Sequence, residues 1–236
     1  MSWLSQNNAP FGLGIVRNDV NNFTAINKFG HSSTVGSTFQ TVWDGNNVYP
    51  WPSSAGTLTI ASDSGSDNNA VVTVEGLDSD WNLQSEELTI TGAVGTKSFI
   101  RIYRAYVKTP GTGQTTNVGN ISITHTTVVR AKIIADAGQT LMAIYSVPAG
   151  YTAYILKFQG SMAKQKECQF RGRFRLFGGA FRTGGQWGSF GVPVTYDYPV
   201  PLTFPAKTDF EIQVLAGATT EAGAIFDIIL EKVIQS

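Results

Sequence analysis

Alternating apolar and polar residues predict that most of the chain after residue 36 is a succession of short β-strands. In the segment Glu86–Thr91, for example, Leu88 and Ile90 fall on one face, and Glu87 and Thr89 fall on the other. Asp, Asn, Gly and Pro residues, which favour turns, separate these segments. No window of eleven residues has the periodicity of an amphipathic helix. The pattern therefore predicts an all-β protein with sandwich or jelly-roll topology.

The predicted strands fall into two groups. Residues 37–43, 57–61, 70–75, 86–91, 99–107 and 120–124 form the first group, and residues 128–134, 140–147, 152–159, 168–177, 194–204, 209–215 and 224–233 form the second. We therefore expect two antiparallel β-sandwich or jelly-roll-like domains, an acidic one at residues 36–127 and a basic one at residues 128–236. Residues 1–35 hold apolar residues without a regular period, which predicts an extended N-terminal arm packed against its own chain or against a neighbouring subunit.

The composition is unusual in its low charge. Charged residues make up 14% of the chain, against roughly 25% in average soluble domains. A surface of neutral polar groups is easier to desolvate than a charged one, which favours lasting contact with other proteins. The alternative is an uncharged surface without any special interface.

The formal net charge is +0, yet the two parts of the sequence differ in sign. Residues 1–96 contain nine carboxylates and two cations, and residues 97–236 contain eight carboxylates and fifteen cations. The acidic part of one copy could therefore face the basic part of another. The alternative is an asymmetry between domains that has no function.

The residues that catalysis or metal binding would require do not form a recognisable pattern. Cys168 is the only cysteine, so no intramolecular disulfide can form. His31 and His125 do not have metal-ligand spacing, and no nucleophile elbow or phosphate-binding glycine loop occurs. We therefore expect a protein without enzymatic activity and without a cofactor.

Four aspartates offer oxygens that calcium could use. They form two pairs in polar loops, Asp63 with Asp67 and Asp78 with Asp80. Neither loop supplies a full set of calcium ligands, and Asp favours turns by bonding its own backbone. Turn formation is therefore the preferred interpretation, and no metal site is predicted.

No membrane segment is expected from the sequence. The longest apolar runs are much shorter than the roughly 20 residues needed to span a bilayer. The first eight residues lack the basic and apolar regions of a signal peptide. We expect synthesis in the cytoplasm and no association with membranes.

One segment concentrates positive charge on one face of a predicted strand. In Gln169–Leu176, Arg171, Arg173 and Arg175 point to one side, and Phe170 points to the other. Like charges in a row repel each other, so the arginines require partners. These partners are either an acidic surface of another copy or Asp and Glu side chains on a neighbouring strand. Nucleic acid is less favoured, because the whole chain is neutral.

Three tryptophans are candidate interface anchors. Trp43, Trp51 and Trp81 each lie beside a stretch typical of turns. They could alternatively stack on sugars or belong to the core, as aromatic residues of β-sandwiches often do.

Several segments together resemble structural proteins of tailed bacteriophages, especially phages of marine bacteria and cyanobacteria. The segments lie throughout the chain after the arm and include Phe39–Gly45, Val72–Asp78, Ser98–Val107 and Gln139–Tyr145. The resemblance implies a virion structural protein of β-sandwich or jelly-roll domains, present in many copies and lacking enzymatic activity. Such a protein would decorate or cement the capsid, or form part of the tail or fibre attachment.

The sequence thus predicts a homo-oligomer, such as a trimer or a ring, that also contacts other virion proteins of the capsid or tail. Its location would be the virion, after synthesis in the host bacterial cytoplasm. Neither a membrane nor a specific nucleic acid is expected as a partner. A receptor- or glycan-binding tail module is the alternative, and a glycan hydrolase of β fold is a third possibility.

Overall fold

The structure, a computed structural model, describes residues 11–92, 94–163 and 167–233. Strands dominate these residues: β1 (Phe23–Val35), β2 (Gln40–Thr41), β3 (Leu58–Ser62), β4 (Val71–Leu77), β5 (Leu83–Thr89), β6 (Arg101–Thr109), β7 (Ile121–His125), β8 (Val128–Ile133), β9 (Ile144–Ser146), β10 (Tyr151–Met162), β11 (Glu167–Arg175), β12 (Arg182–Phe190), β13 (Val194–Phe204), β14 (Asp209–Ala216) and β15 (Thr220–Lys232). A six-residue helix, α1 (Phe11–Val16), and a 3₁₀ turn at Gly65–Asp67 are also present. The all-β prediction is confirmed.

Two antiparallel sheets form a jelly roll. One sheet has the strand order β1-β15-β10-β13, and the other has the order β12-β11-β14, with both β2 and β9 paired to the outer side of β14. If β2 and β9 count as one strand position, the jelly roll has eight positions, which in chain order are β1, β2 with β9, β10, β11, β12, β13, β14 and β15. Numbered in this way, the first sheet has the order 1-8-3-6 and the second sheet has the order 5-4-7-2. This arrangement is the double Greek key of a jelly roll.

The strand position shared by β2 and β9 is interrupted by an insertion. The N–H of Val42 donates to the carbonyl of Ile212 over 2.9 Å, and the N–H of Ile212 donates to the carbonyl of Ala143 over 3.0 Å. The N–H of Ala143 in turn donates to the carbonyl of Val42 over 2.9 Å. The chain therefore leaves the jelly roll at Val42 and returns at Ala143. Residues 43–142 form a separate layer, with one sheet ordered β3-β7-β8 and one ordered β5-β4-β6.

Each part has its own apolar core. The jelly-roll core lies between its two sheets and includes Phe158, Phe170 and Phe226, each at most 2% exposed. The insertion core includes Leu58 and Val74, both fully buried. The alternation of apolar residues along each strand produces these cores, because every second side chain points inward.

The predicted domain boundaries differ from the strand pairing. A boundary between residues 127 and 128 would cut the hairpin of β7 and β8, in which His125 pairs with Val128. Residues 23–35 of the predicted arm form β1, which pairs with β15 of the same chain, and residues 1–10 lie outside the described residues. The prediction of two consecutive domains after an arm is therefore corrected to an insertion within a jelly roll. Local patterns missed this arrangement, because the contacts that define it join residues about 100 positions apart.

Among the described residues, no helix combines the length and the apolarity needed to cross a membrane.

Candidate functional site

The three arginines of β11 face polar side chains of β14. The strand register places them in the cross-strand pairs Arg171–Gln213, Arg173–Glu211 and Arg175–Asp209. The guanidinium groups donate to these partners over 2.6, 3.1 and 2.6 Å, respectively. Two kinds of partner were predicted for these arginines: an acidic surface of another copy, or acidic side chains on a neighbouring strand. The second kind is present for Arg173 and Arg175. A contact between this arginine face and another copy of the chain stays a prediction.

Asp209 joins the jelly roll to the insertion. Its carboxylate accepts hydrogen bonds from Arg101 of β6 over 2.7 and 2.9 Å and from Arg175 over 3.0 and 2.6 Å. The side chains of Arg101 and Asp209 are only 7% and 2% exposed. The Arg101 guanidinium also donates to the carbonyls of Pro52 and Ile100. This buried pair is therefore well saturated with hydrogen bonds, which a buried charge requires.

Glu211 makes a second connection between the two parts. Burial raises the pKa of its carboxyl, and hydrogen bonds from Thr41 and the nearby Arg173 act in the opposite direction. The Thr41 hydroxyl donates to the carboxylate over 2.8 Å, and the Trp51 indole N–H donates over 3.4 Å. Trp51 thus bridges the insertion to β14.

An open cleft of about 460 Å³ lies beside Asp209. We call it the junction cleft and define it by Ser53, Ser79, Trp81, Arg101, Arg175, Phe177 and Lys207, which line it. The Arg101 guanidinium lies 4.5 Å from the centre of the Trp81 ring, and the Lys207 ammonium lies 5.0 Å from the centre of the Phe177 ring. The two rings meet edge to face at 5.7 Å. Cations and aromatic rings therefore alternate along the wall of the cleft.

The three predicted tryptophan anchors have different surroundings. Trp43 and Trp81 are 2% and 5% exposed, and Trp43 packs against Tyr49 with ring centres 5.1 Å apart. Trp51 is partly buried and packs against Tyr49 and Phe181. Within one chain these side chains are packed in the interior or at the junction, and a role in contacts between chains stays a prediction.

The loop aspartates accept hydrogen bonds from backbone amides, but Asp63 and Asp67 bond the distant segment 118–120, and Asp78 bonds within its own loop as a turn residue does. Asp67 accepts from the N–H groups of Val118 and Gly119, and Asp63 accepts from the backbone and side-chain amides of Asn120. Asp78 likewise accepts from backbone N–H groups of its own loop. The described residues contain no cluster of His, Cys, Asp and Glu that could hold a metal ion.

Sequence reasoning missed Arg101, Asp209, Phe177 and Lys207 as members of a site. One signal was available. Arg171, Arg173 and Arg175 have the same two-residue spacing as Asp209, Glu211 and Gln213, which is the spacing expected for one face of each of two paired strands. Nothing local in the sequence places Lys207 or Phe177 beside these residues.

A second feature lies at the edge of the jelly roll formed by β12 and β13, which we call the β12–β13 edge (residues 182–204). Within the described residues, β12 pairs only with β11, and β13 pairs only with β10. Phe190, Val192 and Val200 are 71%, 62% and 79% exposed. No charged residue occurs from Thr183 to Tyr196. Apart from Arg182 and Asp197 the edge is uncharged and carries exposed apolar side chains, and each of its two strands has one side unpaired among the described residues.

Comparison with known proteins gives only distant similarities. No protein-family model matches the chain, and no curated protein matches it. Among solved structures, it is similar to the protein of infectious bursal virus-derived T=1 particles, with 10% identity, a TM-score of 0.22, and coverage of 96% of this chain and 80% of that one. Infectious bursal disease virus strain Gx gives 10% identity, a TM-score of 0.22, and coverage of 97% and 84%.

A bacterial lipoprotein from Bacteroides thetaiotaomicron is similar with 11% identity, a TM-score of 0.21, and coverage of 90% of this chain and 97% of that one. TM-scores this low do not establish a shared fold. The function of this chain is therefore inferred from its own topology, surface and packing.

Proposed function

We propose that the protein is a non-enzymatic structural subunit of a virus particle, in which copies of the chain assemble with one another. The jelly-roll topology with its β12–β13 edge, which is unpaired among the described residues, carries this proposal. Jelly rolls are the fold of many viral capsid domains, although a fold alone does not determine a function. The sequence resemblance favours a tailed bacteriophage, with the protein decorating the head or attached to the tail.

The occupant that we propose for the β12–β13 edge is the same edge of a second copy. Natural proteins protect exposed edges with charged residues, prolines or bulges. β13 contains Pro199 and Pro201 within a bulge opposite β10. β12 has a bulge at Gly184 and one charged residue, Arg182, near its start, but it contains no proline and no charge from Thr183 to Phe190. Two copies of β12 related by a twofold axis could pair antiparallel and extend the sheet across both subunits. The uncharged segment from Thr183 to Tyr196 meets its own copy without charge repulsion, which supports this choice of partner.

Oligomeric mass tests this proposal. We expect light scattering to give the wild-type chain a molar mass of at least twice 25.4 kDa. The substitution Val192→Asp should shift the equilibrium towards the monomer, because it introduces a charge into the proposed interface. Val94→Asp is the matched control, since Val94 is 60% exposed and lies in the insertion. A monomeric wild-type chain, or equal masses for the two variants, would contradict the proposed interface.

A second function is favoured by the junction cleft. Lectin domains also use jelly rolls, and this cleft presents the exposed Phe177 beside cations. A glycan- or receptor-binding role within the particle is therefore the second candidate.

A further inference from the structure

We propose that the junction cleft binds a saccharide that carries a carboxylate, such as a uronic acid. This inference rests on the second candidate function and specifies its site and its ligand. It does not depend on the self-assembly of the chain.

The charges of the cleft favour an anionic ligand. Arg101, Arg175 and Lys207 contribute three positive charges, and Asp209 contributes one negative charge. Asp209 already accepts bonds from both arginines and from Ser146. Among the described residues, Lys207 has no carboxylate within ion-pair distance. The cleft therefore has an excess of positive charge and an ammonium group available to a ligand.

The remaining walls suit a sugar ring. Phe177 is 66% exposed and presents an apolar ring face of the kind that packs against the C–H groups of a saccharide. Ser53 and Ser79 also line the cleft, and their hydroxyls can both donate and accept hydrogen bonds. An aromatic surface, neutral hydroxyls and a cation together match a ring that bears hydroxyls and a carboxylate.

The backbone of the cleft is held in an uncommon conformation at two of these residues. Trp81 and Lys207 have φ angles of 71° and 65°, in the left-handed region that bulky residues rarely adopt. Hydrogen bonds hold both segments: the Trp81 carbonyl accepts from Ala149, and the Lys207 N–H donates to Val147. Strained positions that the surrounding structure holds in place are often found at ligand sites.

A nucleic acid or an acidic peptide fits the cleft less well. The chain has a net charge of +0, so it lacks the long-range attraction for an extended polyanion. Ser79 and Trp81, which line the cleft, belong to the loop that carries Asp78 and Asp80, and these carboxylates would repel the continuation of such a chain. A single acidic sugar does not extend that far.

The test is a titration of the full-length chain, followed by NMR or calorimetry, with methyl glucuronide and with methyl glucoside. The two ligands share a ring and differ in the carboxylate. We expect the glucuronide to bind at least about tenfold more tightly, since one charge-assisted contact has about that effect. Lys207→Met should remove most of this difference, and Lys207→Arg should retain it. Phe177→Ala should weaken the binding of both sugars.

Lys232→Met is the matched control, because Lys232 is an exposed lysine at the end of β15, outside the cleft. Equal affinity for the two sugars, or an equal loss in Lys207→Met and Lys232→Met, would overturn the proposal. Tighter binding of oligothymidylate or of a glutamate peptide than of the glucuronide would overturn it as well. Molar mass is measured on the same samples. A chain that assembles but does not bind contradicts only the saccharide site, and a monomer that binds contradicts only the assembly.

Discussion

Replacement of Asp209 by Asn tests the connection between the insertion and the jelly roll. The substitution keeps the shape of the side chain but removes the charge that Arg101 and Arg175 share. Arg101 is 7% exposed and would be left as a buried cation without a counterion. The loss of one partner from a buried pair costs roughly 3–5 kcal/mol. Arg175 is 25% exposed, so solvent screening limits its share to under about 1 kcal/mol.

We therefore expect Asp209→Asn to lower the free energy of unfolding by about 3 kcal/mol, the lower end of that range, because the amide oxygen can still accept one hydrogen bond. Urea unfolding followed by circular dichroism measures this change, and a slope of about 3 kcal/mol per M gives a midpoint shift of about 1 M. Glu87→Gln is the control, since the Glu87–Lys108 pair is about half exposed on both sides, and its loss should cost under about 1 kcal/mol. Equal midpoint shifts in the two variants would refute the reasoning.

Three further predictions follow from buried groups. Burial raises the pKa of Asp44 to about 7, so the folded state binds a proton more tightly than the unfolded state. This contribution to stability is lost as the pH rises from about 4 through 7. Thermal melts should show this loss in the wild type relative to Asp44→Asn. Gly30→Ala should destabilise the chain by about 3 kcal/mol in chemical unfolding, because the added Cβ would lie 2.3 Å from backbone atoms of neighbouring segments. Gly12→Ala is the control and should not destabilise the chain, because a Cβ added at Gly12 meets open space. Burial raises the pKa of the Cys168 thiol to about 11, so a thiol reagent at pH 8 should react with it only after unfolding in urea.

The positions of most strands could be predicted from the sequence, because the inward and outward alternation within a strand is a local property. Phe170 is buried and the arginines of the same strand face the other side, as the alternation predicts. β12 was missed, because Gly184 and Gly185 resemble a turn, yet they lie within the strand. In the fold, the Cβ of a larger residue at Gly185 would lie 2.6 Å from the Trp187 ring, so glycine is required there by packing.

The insertion and the junction cleft could not be predicted in the same way. Val42 and Ala143 are hydrogen-bonded neighbours, but nothing in the local pattern around either residue indicates the other. The Arg101–Asp209 pair joins residues from the two parts, so it exists only once the insertion has folded against the jelly roll. A contact of this kind depends on the topology of the whole chain. The residues of the cleft are therefore recognisable from the structure and not from any motif.

The number of copies of this protein in purified virus particles tests the proposed function most directly. Quantitative mass spectrometry of intact particles would give its ratio to the other virion proteins. We expect many copies in a fixed ratio to the major capsid protein if the chain decorates the head, or to the tail proteins if it belongs to the tail. Absence of the chain from particles made in cells that synthesise it would contradict the structural role.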